Sequence, residues 1–146
     1  MENKNYIKKS KIIDIQNNIK TQLNLEKKEI EYLLEKIEKC NSESEIINFD
    51  AVAEIKEYKN SFEYIKNKKI EEIKNKTQDI IQNKYSIYDQ INILNLICHT
   101  ENEKNNLIFF LSNIINQGKA FENEVENLKT KEEIESYIFE FILNEV

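Results

Sequence analysis

Pro is absent from this 146-residue chain, and Gly occurs once, as Gly118. Sheets of short strands need tight turns, and tight turns draw on those two residues. A chain without them favours long helices joined by polar elbows. Hydrophobic residues make up 40% and charged ones 33%, enough apolar side chain for a packed core beneath a wide solvated surface. The expected class is all-α: antiparallel helical hairpins or a bundle with coiled-coil-like seams, about five helices in a single domain over 1–146.

Apolar spacing sets the expected helices. Ile12, Ile19, Leu23, Ile30, Leu33, Ile37 and Cys40 keep to gaps of three, four or seven, so residues 11–40 read as one helix. At ~1.5 Å per residue it would be about 45 Å long. A second stripe (Phe49, Ile55, Tyr58, Phe62, Ile65) slips by one position and resumes as Ile70, Ile73, Thr77 and Ile80, which predicts a helix over 50–84 with a local bend or a change of packing partner. Residues 87–99 follow, with Ile87, Ile91, Leu94 and Cys98 expected to face inward. The best-kept period lies in 101–128, where Leu107, Leu111, Ile114, Gly118, Phe121, Val125 and Leu128 alternate gaps of four and three. Ile108, Phe110 and Ile115 widen that face beyond a two-stranded seam, so this reads as the central core helix. Gly118 amid large seam residues predicts a close helix crossing. A last helix is expected over 131–144, with Ile134, Ile138, Phe141 and Ile142 inward.

The elbows carry their own signature. Ser or Thr at an N-cap with Glu three residues on forms a capping box, in which each side chain bonds the other residue's backbone N–H. Thr130 with Glu133, Ser42 with Glu45 and Thr100 with Glu103 fit, and Ser86 with Asp89 is a shorter version. The likeness of LKTKEEIESYIF (128–139) to CNSESEIINFD (40–50) comes from this shared device. At an offset of 88 the identities are few enough, given the Ile, Glu, Lys and Asn bias, to be no evidence of a repeat.

Several functions lack their residues. The longest uninterrupted apolar run, Leu107 to Leu111, falls far short of the ~20 residues a bilayer needs. The N-terminal MENKNYIKKSK has charge but no hydrophobic signal-peptide stretch after it, so a cytoplasmic protein is expected. Cys40, Cys98 and His99 are the whole stock of Cys and His, too few for a zinc site. The two cysteines read as free thiols on apolar stripes. With one His, no phosphate-cradling Gly-rich loop and no nucleophile motif, no enzyme, metal or cofactor is expected.

Charge is uneven along the chain. Residues 1–120 carry 19 acidic residues against 19 Lys, whereas 121–146 carry eight Glu against two Lys, so the whole net charge of -6 lies at the C-terminal end. Every basic residue is Lys, which removes Arg, the best bidentate reader of phosphate and guanine. Direct nucleic-acid binding is therefore disfavoured, although Lys66, Lys68, Lys69, Lys74 and Lys76 make a modest basic stretch.

The segment YSIYDQINIL (85–94), together with IINQGKAFENEVENLKTKEEIESYIF (114–139), resembles the helical C-terminal region of phage tail-associated and tail-fibre-assembly proteins, over roughly residues 80–139. Those proteins show an aromatic, a turn residue, an apolar or aromatic pair and a Gln-hydrophobic-Asn-hydrophobic-Leu run, then a helix ending Leu-x-Thr-x-Glu-Glu. The turn position usually held by Pro is Ser86 here, and the β-rich N-terminal part of such proteins has no counterpart, because residues 1–80 read as helix. The resemblance implies a phage-type helical protein that binds other proteins in tail structure or assembly, in host cytoplasm or virion. Two other readings stay open: a small phage-encoded inhibitor of a host defence nuclease, of the anti-CRISPR type, and a bacterial coiled-coil adaptor. The candidate partner-binding residues are Tyr137 and Phe139, aromatics beyond what one inward stripe uses, with Glu132, Glu135 and Glu140 to orient a protein partner with a basic surface. A homo-oligomer seam for the same rings is the competing reading.

Overall fold

The structure is a computed structural model that describes residues 2–143. Among them all regular structure is helical and no strand forms. The chain divides into two compact units, 1–61 and 62–146.

The first unit opens with α1 (Glu2–Asp14), which runs through a π turn (Ile15–Ile19) into α2 (Lys20–Leu23). In the π turn the Asn17 carbonyl accepts the Thr21 hydroxyl at 3.1 Å, and Ile15 is fully buried. The helix expected over 11–40 stops at Asn24, which takes the left-handed conformation with φ 51° and ψ 47°. Asn adopts this geometry more readily than other side-chain-bearing residues. The Asn24 and Leu25 N–H groups both donate to the Lys20 carbonyl, and the reversal drops Leu25 into the core. The seven-residue gap from Leu23 to Ile30 spans this turn and matches two turns of helix, which is why spacing alone gives one helix here.

After the turn come α3 (Lys27–Glu38), α4 (Glu43–Ile47) and α5 (Ala51–Lys59). Ile15, Leu25, Leu33, Ile37, Ala51 and Ile55 form the core of the unit. Glu29 is buried with them. Its carboxylate accepts the Glu26 N–H at 2.8 Å, capping α3, and pairs with Lys59 Nζ at 3.1 Å. Asp50 caps α5 by accepting the Val52 and Ala53 N–H groups, each at 3.1 Å. The helix expected over 50–84 is interrupted at Asn60 and Ser61, whose N–H groups turn back onto the last carbonyls of α5.

The second unit is built on α6 (Phe62–Lys84) and α8 (Glu101–Asn127). Lys66 pairs with Glu126, Lys74 with Glu122, and the Tyr85 ring meets Phe110, so the two helices run antiparallel. The seam read from the sequence is the buried face of α8: Leu107, Ile114, Gly118 and Val125 are buried, Leu111 and Phe121 are half-buried between them, and Leu128 is half-buried just past the helix end. Ile70 and Ile73 of α6 pack against its Val125 end. The close crossing expected at Gly118 is present, because a Cβ there would stand 2.5 Å from Thr77 Oγ1.

Two expectations for this unit are overturned. The helix expected over 87–99 ends at Leu94 as α7 (Ile87–Leu94), and Ile87, Ile91, Leu94 and Cys98 are exposed; Ile93 is the buried residue. An eight-residue helix offers two apolar stripes one step apart, and only packing on α8 decides between them. The helix expected over 131–144 ends at Ser136 as α9 (Lys131–Ser136), and residues 137–143 have no helical structure; Asn144 lies outside the described residues. Where spacing predicts about five helices, the described residues form more and shorter ones.

Candidate protein-binding surface

The C-terminal end of the second unit begins at an elbow. Thr130 Oγ1 accepts the Glu133 N–H at 3.2 Å, while the Glu133 carboxylate accepts the N–H groups of Thr130 at 3.0 Å and Lys129 at 2.7 Å. Those two backbone donors hold the Glu133 carboxyl below the usual carboxylate range. Thr100 with Glu103 and Ser86 with Asp89 close in the same reciprocal way. Ser42 with Glu45 does so in half: Ser42 accepts the Glu45 N–H, but the Glu45 carboxylate takes the Asn41 N–H.

α9 stops after two turns. The Ser136 hydroxyl donates to the Glu132 carbonyl at 2.7 Å, and Tyr137 turns extended with φ -67° and ψ 122°. From Tyr137 to Ile142 the chain alternates sides with a period of two. Tyr137, Phe139 and Phe141 are half-buried, whereas Ile138, Glu140 and Ile142 are exposed. Aromatic and β-branched residues suit an extended backbone. Phe121 of α8 receives the inner row: its ring centroid lies 5.7 Å from Phe139 and 5.1 Å from Phe141, the latter edge-on at 87°. The Tyr137 hydroxyl donates to Glu124 at 2.7 Å, and burial together with that bond pushes its pKa up. Gln117 pins the far end, accepting the Ile142 N–H at 2.7 Å and donating to the Ile142 carbonyl at 2.9 Å.

Between this segment and α6 lies a groove of about 860 Å³. Tyr137, Ile138 and Phe139 form its apolar wall, and Glu71, Glu72, Asp79 and Glu135 contribute carboxylates. Lys68 and Lys69 at its α6 side pair with Glu71 and Glu72, both at 3.0 Å. With Lys66 on Glu126 and Lys74 on Glu122, four lysines of the basic stretch have carboxylate partners. Ile138, at the groove's rim, is 88% exposed, and Ile142, outside it, 69%.

Of the residues singled out from sequence, Tyr137, Phe139 and Glu135 meet in this groove, while Glu132 and Glu140 are exposed but do not line it. Tyr137 and Phe139 do not stand on the outer face of a helix; they face the core as alternate residues of an extended segment. Ile138 and Ile142, expected inward, are the outward ones, because a period of two replaces one of 3.6. Gln117 was not anticipated, and nothing in the sequence marks it. The alternation Tyr137, Phe139, Phe141 was the available signal for the extended segment.

Among the described residues no cluster of three or more His, Cys, Asp or Glu side chains gathers as a metal site, and no helix is long and apolar enough to cross a membrane. Cys40 and Cys98 are free thiols, and His99 Nδ1 lies 3.4 Å from Glu103. No protein-family model, curated protein or solved structure matches the chain.

Proposed function

We propose that this protein acts without catalysis, by binding another protein along its extended C-terminal segment. The observation that carries the reading is Ile138, 88% exposed beside the extended Tyr137 at the rim of the groove against α6. An exposed extended edge invites pairing with another chain, and natural folds cover or charge such edges unless a partner uses them. The antiparallel α6 and α8 pair gives the segment a rigid support. The partner has a basic surface, because with Lys68 and Lys69 paired, Asp79 and Glu135 outnumber Lys76 in the groove, and Glu132 and Glu140 stand nearby in sequence.

The first context for this binding is phage tail structure or assembly, following the resemblance over residues 80–139, in host cytoplasm or virion. The acidic balance of residues 121–146 favours a second, the blocking of a host defence nuclease, where carboxylates occupy a channel built for phosphate.

Short extended peptides test the surface itself. Fluorescence anisotropy should report at least about tenfold tighter binding of a peptide alternating Lys with Val or Ile than of its Glu counterpart, weakening as salt rises. Ile138→Lys should abolish the preference while helicity stays unchanged. Equal binding of both peptides, or full retention by Ile138→Lys, would overturn the reading.

A further inference from the structure

α7 presents an apolar face that no described residue of its unit covers. Ile87, Ile91 and Leu94 recur at helical spacing with Tyr88 beside them, and the four are between 41% and 74% exposed. Ile93, on the other side, is the residue buried toward α8. The face continues onto α8, where Ile115 shares a groove with Ile87, and Ile108 lies seven residues earlier on the same stripe. Both are exposed.

We infer that this face is an isologous homodimer interface, with α7 crossing the α7 of a second copy antiparallel about a two-fold axis at Ile91. Two features select a second copy. The first is charge. Asp89 is the sole charged residue from 87 to 98, and its carboxylate is held by the Ser86 N–H at 3.1 Å and the Ser86 hydroxyl at 2.6 Å. The α7 half of the face is therefore nearly uncharged and matches itself, while Lys74, Lys119 and Glu122 stand at its α8 edge, in the groove that Ile87 and Ile115 share. With Ile91 on the axis, Ile87 and Tyr88 meet Leu94 of the other copy.

The second feature is area. From their fractional exposures the six side chains show on the order of 600 Å² per copy, as large as the largest apolar patches of ordinary monomers. Two copies together would bury about 1,200 Å², past the roughly 1,000 Å² that specific association needs and at the lower edge of standard interfaces. A dimer of micromolar strength is the scale this implies. The C-terminal groove plays no part in it, so each surface stands or falls separately.

Sedimentation of the full chain from roughly 1 to 100 µM tests the inference. The wild-type chain should pass from monomer to dimer in that range. Ile91→Glu sets two carboxylates against each other at the axis and should raise the dissociation constant at least about 100-fold with helicity unchanged. In a Cys40→Ser, Cys98→Ser background, Ile91→Cys should oxidise to a covalent dimer, whereas Ile138→Cys, more accessible but off the face, should not. A monomer throughout, which would leave the face to a different protein, overturns the inference. So does a dimer indifferent to Ile91→Glu, or cross-linking at position 138 as efficient as at 91.

Discussion

Thr77 Oγ1 stands 2.5 Å from the point a Cβ of Gly118 would occupy, so the α6 and α8 crossing is set by one missing methyl group. The hydroxyl is itself committed, donating to the Ile73 carbonyl at 2.8 Å. In an open helix Gly118→Ala would gain about 0.8 to 1.0 kcal/mol of helix propensity. Here overpacking, typically about 1 to 3 kcal/mol, opposes that gain. Gly118→Ala should therefore lower stability in urea unfolding. Adding Thr77→Ala, which leaves only a Cβ at ordinary contact distance, should recover most of the loss. An additive double-mutant cycle would show that the two residues do not limit each other.

Glu29 is a buried carboxylate with two tasks, capping α3 and pairing with Lys59. Glu29→Gln keeps an oxygen for the Glu26 N–H and should cost about 1 kcal/mol, while Glu29→Ala loses cap and pair together and should cost about 2 to 4 kcal/mol. Lys59 is 42% exposed, so the pair is partly screened, and Lys59→Met should fall nearer the smaller figure. Chemical denaturation of the three variants checks the order.

The elbows should respond to acid. Backbone donors from Thr100 hold Glu103 low, and those from Lys129 and Thr130 hold Glu133 low. A carboxylate with a depressed folded pKa contributes stability above its unfolded value, near 4.3 for Glu, and loses it as pH falls through the folded value. The Glu103→Gln, Glu133→Gln variant should melt lower than wild type near pH 7, and the gap should narrow by about pH 3. A gap independent of pH would mean that the boxes act through geometry alone. Thr130→Ala should cost about 0.5 to 2 kcal/mol, the usual range for a lost cap.

Gln117 holds the extended segment at Ile142 through both sides of its amide. Gln117→Ala should change global stability by only about 1 kcal/mol, yet hydrogen exchange at Phe141 and Ile142 should accelerate by a far larger factor than elsewhere. Chymotrypsin cleavage after Phe139 or Phe141 should speed up in parallel. Unchanged exchange there would place the anchor in the Phe121 ring contacts instead.

The tests that replace Ile138 and Ile91 complement these, because both side chains point away from their own unit. Neither substitution should move the melting temperature appreciably, since exposed positions contribute little to folding.

What the sequence alone determined is local. Helix content followed from absent Pro and scarce Gly, the elbows from hydroxyl and Glu pairs three apart, and the buried face of α8 from seven residues at gaps of four and three. Each depends on contacts within a turn or two, or on a period long enough to be unambiguous. Tertiary structure decided the remainder. Apolar gaps continue through Asn24, so only the left-handed turn, with Leu25 seated in the core, separates α2 from α3. In α7 eight residues fit two stripes, and packing on α8 chose Ile93 over Ile91. YIFEFIL satisfies a helical period through Ile138 and Phe141 and an extended one through Tyr137, Phe139 and Phe141. Phe121 and Gln117, distant in sequence, selected the second, because short apolar runs carry too few periods to distinguish 3.6 from two.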